Sequence, residues 1–87
     1  MLFPMGRLLA TPGALEKISQ YDINIALGRH QSGDWGDVCD EDKRLNDEAL
    51  RNGARLFSAY HTQDGRQFWI ITEADRSATT VLLPSEY

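Results

Sequence analysis

ARLFSAYHTQDGRQFWIITEADRSATTVLLP, residues 54–84, decides the fold. Leu56, Ser58, Tyr60 and Thr62 alternate with Arg55, Phe57, Ala59 and His61, which is the two-residue period of a strand. Gln63-Asp64-Gly65 follows, and Asp-Gly is a strong short hairpin signal because both residues tolerate the backbone of a tight turn. RQFWIITE reads as the return strand, rich in aromatic and β-branched side chains. Glu73 to Ser77 makes a second turn, and TTVLLP a last strand stopped by Pro84. Three consecutive strands joined by short turns are most simply an antiparallel meander.

Upstream, the period lengthens. Arg7 to Ala10 is a short apolar run that suits a first or edge strand. Thr11-Pro12 predicts a helix start, since Thr caps free N–H groups and Pro lacks only an N–H that would be unpaired there. That helix should run from Pro12 to about Gln20. Asp22 is the next cap candidate, with Ile23, Ala26, Leu27 and His30 on one helical face. Gln31 to Asp37 is a glycine-containing loop. Asp40, Glu41 and Asp42 then open a third helix, where carboxylates face the positive end of the helix dipole. Asn52-Gly53 closes it. The expected order is β-α-α-α-β-β-β: an α+β domain with an antiparallel three- to four-stranded sheet and two to three helices on one face. How the first strand joins the sheet is left open at this stage.

The 87 residues suit one domain, and 41% apolar with 25% charged residues is ordinary globular composition. So small a chain buries a limited share of its surface, and a homodimer interface would be a natural supplement. The net charge of −4, from 13 acids and nine bases, argues against a dedicated nucleic-acid binder. A single cysteine, Cys39, excludes an internal disulfide and suits a reducing cytoplasm. MLFPMGRLLATPG has no basic leader and is broken by Pro4, Gly6 and Arg7, so neither a signal peptide nor a membrane span is expected.

Chemical motifs are sparse. A calcium loop beginning at Asp34 would meet Gly36, Val38, Cys39 and Leu45 where acids, amides, glycine and glutamate are needed. His30, Cys39 and His61 could be zinc ligands, but without the paired spacing that marks such sites. Cys39 stands beside acids that disfavour its thiolate, and no nucleophile or phosphate-loop motif occurs. The expectation is therefore a protein with no catalytic residue, metal or cofactor.

Two stretches exceed what local structure requires. Gly33-Asp34-Trp35-Gly36-Asp37 puts an indole in a polar loop, where it must either enter the core or await a partner. Thr72-Glu73-Ala74-Asp75-Arg76-Ser77 places three charges and two hydroxyls in one turn, either to brace it or to meet a partner. Asp34, Trp35, Asp37, Glu73, Asp75 and Arg76 are the candidate partner-binding residues.

MGRLLATPGALE, RHQSGDWGD, EDKRLNDEAL and WIITEADRSATTVLLPSEY together resemble a family of short bacterial proteins of plasmids, integrative conjugative elements and prophages. Some members carry the label "type I restriction endonuclease subunit M". A methyltransferase subunit needs a cofactor-binding sheet and an N-P-P-[FYW] type motif, whereas this chain has only Pro4, Pro12 and Pro84. The resemblance implies a cytoplasmic accessory protein of a mobile element and supplies no catalytic residues. The expected function is non-enzymatic: binding a protein partner or itself. One alternative is inhibition of a host defence complex, CRISPR or restriction, through the seven acids between Asp34 and Glu48. Another is nucleic-acid binding by Arg51, Arg55, Arg66 and Arg76, with Trp69 for stacking.

Overall fold

The alternating stretch forms three strands in the computed structural model, which describes residues 2–87. Following β1 (Arg7–Ala10), these are β2 (Leu56–His61), β3 (Gln67–Thr72) and β4 (Ala78–Leu82). β2 pairs antiparallel with β3, and β3 with β4, as the turn signals require. At the first turn Thr62 donates its N–H to Arg66 O at 2.9 Å, closing the hairpin over Gln63-Asp64-Gly65.

β1 corrects the expectation of a wholly antiparallel sheet. It lies beside β4 and parallel to it, with Leu8 opposite Thr79 and Ala10 opposite Val81. The sheet is mixed, in the order β1-β4-β3-β2. The helices explain this placement. They are α1 (Pro12–Lys17), α2 (Gln20–Gln31) and α3 (Asp40–Asn52). α1 packs against β4, α2 against β3 and α3 against β2. The chain thus crosses the sheet helix by helix from the β1 side to the β2 side. The meander then returns it, strand by strand, to pair with its own beginning. Gly6 permits that meeting: at φ +64 it passes so near Arg76 and Ser77 that a Cβ would lie 2.4 Å from their carbonyl oxygens.

Two helix boundaries differ from the expectation. α1 ends at Lys17 because Ile18 takes an extended backbone and sinks into the core. Ser19, and not Asp22, then caps α2: its hydroxyl accepts from the Asp22 N–H. Beyond β4 the chain ends in a 3-10 turn, Pro84–Glu86, that the sequence reading stopped short of. No described helix is long and apolar enough to cross a membrane.

The inner face of the sheet carries Tyr60, Phe68, Ile70 and Val81, packed against Ala14, Ile18, Ile23 and Ala26 of the helical layer. A second cluster joins Phe3, Trp35, Ala49 and Leu56. Between them lies a line of buried polar groups. His30 is 0% exposed. Its Nδ1 lies 2.5 Å from Ser58 Oγ and its Nε2 2.8 Å from Thr72 Oγ1. Thr72 Oγ1 is 2.7 Å from Thr79 Oγ1, which donates to Met5 O at 2.7 Å. Each hydroxyl has one proton, so the direction from Met5 O back to His30 Nε2 is fixed by the last acceptor, and a neutral imidazole sets the rest. Thr79 donates to Met5, Thr72 to Thr79, His30 Nε2–H to Thr72, and Ser58 to His30 Nδ1. Among the described residues no buried side-chain polar atom is left without a partner.

Burial, reinforced by the positive charge of Arg76, pushes His30 down to about 4 from its ordinary 6.5. The unfolded chain takes up the proton first, so falling pH favours unfolding between those two values. The stability is complete above about pH 6.5 and is lost as pH falls toward about 4. Denaturant unfolding should therefore show a loss of about 2 kcal/mol between about pH 7 and pH 5, above the carboxylate range. His30→Gln should be less stable at neutral pH but nearly flat over that interval. A wild-type protein equally stable at both pH values would contradict the neutral, directed imidazole.

Candidate interaction surface

A four-stranded sheet has two edges, and each edge strand turns every second residue's N–H and C=O away from its neighbour. At β2 these are Phe57, Ala59 and, at the end of the strand, His61; the first two are closed. Asn46 of α3 offers its side-chain amide to Phe57 as a strand would: Nδ2 donates to Phe57 O at 2.6 Å and Oδ1 accepts from Phe57 N at 3.0 Å. The loop before α3 then lies along Ala59. Ala59 N donates to Trp35 O at 3.2 Å, and Asp37 N donates to Ala59 O at 2.7 Å. Gly36 is required between them, because at φ +75 any Cβ would fall 2.0 Å from Ala59 O.

This arrangement places Asp34, Trp35 and Asp37. The expectation of an indole waiting at the surface is corrected: Trp35 is 4% exposed, lies near Phe3 and His30, and donates from Nε1 to Asp47 at 3.0 Å. Once the loop is pinned to β2, its odd-facing side chain has only the interior to enter. Asp34 grips Arg29 through both oxygens, at 2.7 and 3.2 Å, and this pairing holds its carboxyl below the usual range. Its carbonyl accepts from Tyr60 Oη at 2.7 Å, and burial pushes that phenol up to about 12. Asp37 Oδ2 is 2.5 Å from His61 Nδ1, at the far end of β2.

The second candidate stretch, the β3–β4 turn, also braces the fold. Arg76 has φ +60, an uncommon backbone for a residue with a side chain. Its guanidinium reaches Ala49 O at 3.0 Å, in the last turn of α3, and Ala54 O at 2.7 Å, just beyond it, so it ties the β3–β4 turn to the end of that helix. It also sits over the Phe3 ring, which brings Trp35 and Arg76 into one aromatic cluster. Asp75 accepts from Ser77 N, while Glu73 is exposed and touches the network only through its backbone carbonyl. The six residues therefore do not form one patch. Trp35 and Arg76 meet through Phe3, and the exposed carboxylates lie around them on separate loops.

The opposite edge, β1, carries none of the six candidate residues. Arg7 N and Thr11 N both donate toward β4, to Ser77 O and Val81 O at 3.0 Å. By alternation Leu8 and Ala10 turn their N–H and C=O outward. Among the described residues nothing bonds to them, and β1 ends the sheet. Beside this open edge runs a groove of about 310 Å³ whose lining includes Leu8, Ala10, Leu15, Ile23, Leu27 and Val81. Leu8 is 57% and Leu15 62% exposed, and Leu9 on the other face is also exposed. One signal was readable: adjacent leucines in a four-residue strand point to opposite faces, so a one-sided core cannot bury both.

Other chemistry is placed away from this groove. Among the described residues no group of three or more His, Cys, Asp and Glu side chains could hold a metal ion. Cys39 is exposed at the start of α3. Arg55 donates to Tyr87 Oη at 2.6 Å, and Trp69 packs edge-on against Phe57 and Tyr87. Comparison with family models, with curated proteins and with solved structures gave no match.

The sealed edge yields a stability prediction. Asn46→Ala strips both partners from the Phe57 backbone and should cost about 2 kcal/mol in denaturant unfolding. Hydrogen exchange at the Phe57 amide should accelerate more than at Ile70. Unchanged exchange at Phe57 would mean that Asn46 does not close the edge.

Proposed function

We propose that this chain is a non-enzymatic interaction protein that engages a protein partner, or itself, through the open edge of β1 and the apolar groove beside it. The observation that carries this reading is the asymmetry of the sheet. One edge is closed at Phe57 and Ala59 by a dedicated amide and a pinned loop, while the other keeps two outward N–H groups, two outward C=O groups and three exposed leucines. A strand with one open edge beside an apolar groove suits strand addition: main-chain bonds supply affinity and the groove receives alternate side chains. Exposed edges also invite unwanted pairing, and proteins ordinarily blunt them. Retaining one beside a blunted counterpart fits a surface kept for use. The resemblance to mobile-element proteins supplies the setting proposed for it, a bacterial cytoplasm where an accessory protein meets host or element proteins.

A second reading rests on α3. Asp40, Glu41 and Asp42 stand on its first turn, and among the described residues the helix's ion pairs are those of Arg44 with Glu41 and Glu48. Such an acidic face fits the alternative of a defence inhibitor that occupies a basic groove.

A tagged chain used as bait in host lysate separates the two. Leu8→Lys/Leu15→Lys changes exposed positions and should alter stability by no more than about 0.5 kcal/mol each. Proteins retained by the wild type should be lost from this variant and kept by Asp40→Asn/Glu41→Gln. The reverse pattern would move the site to α3, and identical capture by all three would end the edge reading.

A further inference from the structure

The open edge of β1 is self-complementary, and we propose that its occupant is a second copy of this chain, paired antiparallel about a two-fold axis through Leu9. This inference rests on the edge reading above and names its partner. In a two-fold antiparallel pair, Leu8 of one copy faces Ala10 of the other, Leu9 faces Leu9, and Arg7 faces Thr11. Leu8 and Ala10 are the residues whose N–H and C=O point outward, so each facing pair exchanges two bonds. All outward groups of both strands are then satisfied with none left over. Shifting the register by one residue would oppose outward groups with inward ones.

The side chains agree with the same register. Leu8 and Ala10, in line with Thr79 and Val81, share the helix-side face. There a large residue of each copy would sit over a small one of the other, beside the groove that both residues line. On the outer face the two Leu9 side chains meet at the axis.

Charge supports it independently. Arg7 forms no ion pair among the described residues. Glu86 holds only neutral donors: the Thr11 hydroxyl and the N–H groups of Gly13 and Leu83. Because Glu86 hangs from Thr11, the register that sets Arg7 opposite Thr11 of the second copy also brings it to that copy's Glu86, twice per dimer. Residues 1–33 contain three bases and two acids, while the remainder contains 11 acids and six bases. Approach through β1 therefore keeps the strongly acidic parts of the two copies out of the interface.

Sedimentation of the intact chain should show a concentration-dependent species of twice 9.8 kDa. Leu9→Cys in a Cys39→Ser background should form a linked dimer on mild oxidation, because facing residues of a non-hydrogen-bonded pair lie about 4.5 Å apart at Cα. Leu8→Cys in that background should not, since the two Leu8 positions are offset along the strands. Leu9→Lys and Arg7→Glu should each weaken association at least tenfold, with circular dichroism confirming the fold. A chain that stays monomeric up to about 1 mM overturns the proposal. So does a dimer indifferent to Leu9→Lys and Arg7→Glu, or linkage through Leu8 as efficient as through Leu9. A monomeric wild type whose lysate partners still depend on Leu8 and Leu15 would overturn self-pairing alone and leave the docking edge standing.

Discussion

A single line of hydrogen bonds crosses this fold, from Ser58 on β2 through His30 on α2 to Thr72 on β3, Thr79 on β4 and the carbonyl of Met5 ahead of β1. It touches three strands, the central helix and the approach to the fourth strand. An apolar core would hold these elements together with little preference among neighbouring arrangements. A buried polar line is less forgiving, because one misplaced member leaves a donor or acceptor unpaired at a cost of about 1–3 kcal/mol. Sliding α2 by one residue would turn His30 out of reach of both hydroxyls. Shifting β4 by one would turn Thr79 to the other face. The line therefore fixes registers that hydrophobic contacts alone would leave looser.

From that fixed sheet the treatment of its edges follows. Met5 is tied to Thr79, so β1 is delivered to the far side of β4 and becomes an edge. β2 becomes the other edge because α3 hands the chain to it last among the helices. The sequence between Gly33 and Asn46 then closes β2 with two unlike devices, a side-chain amide and a loop backbone. Both depend on side chains held elsewhere: Trp35 buried beside Phe3, and Asp34 held by Arg29. Among the described residues nothing of the kind is supplied at β1.

Much of this arrangement was legible, and the illegible part has a common cause. The period-two stretch, the Asp-Gly turn, the acidic start of α3 and the Asn52-Gly53 stop all act within a few residues, so local physics shows them. Ser19 in place of Asp22 as a cap was a choice between two adjacent polar residues, decided by Ile18 being drawn inward. The parallel pairing of β1 joins residues about seventy positions apart and depends on where three helices leave the chain. Trp35 was ambiguous because its loop is polar in composition but is held as an edge strand. Arg76 looked like an ionic contact because the carbonyls it reaches, Ala49 and Ala54, are remote in sequence. His30 was readable as a helix-face residue, yet its partners, Ser58 and Thr72, lie on two different strands. The open edge was hidden for the same reason: whether an N–H is free depends on the neighbour that is not there.

The contrast between the edges bears on why a domain this small would keep one of them open. With 87 residues the layer of helices is only one deep, and the polar devices that close β2 already draw on the loop and the first half of α3. Closing β1 in the same manner would require another loop or helix beyond it. A partner strand accomplishes the closure without added chain, and it covers apolar side chains that intramolecular packing leaves in water. Leu8, Leu9 and Leu15 would each favour such burial, at about 25 cal/mol per Å² of apolar surface removed from water. The constraint that defines the inside of the fold, a directed polar line ending beside β1, thus also defines the outside. It holds the strand rigidly in place, so that little conformational entropy remains to be lost when something pairs with it.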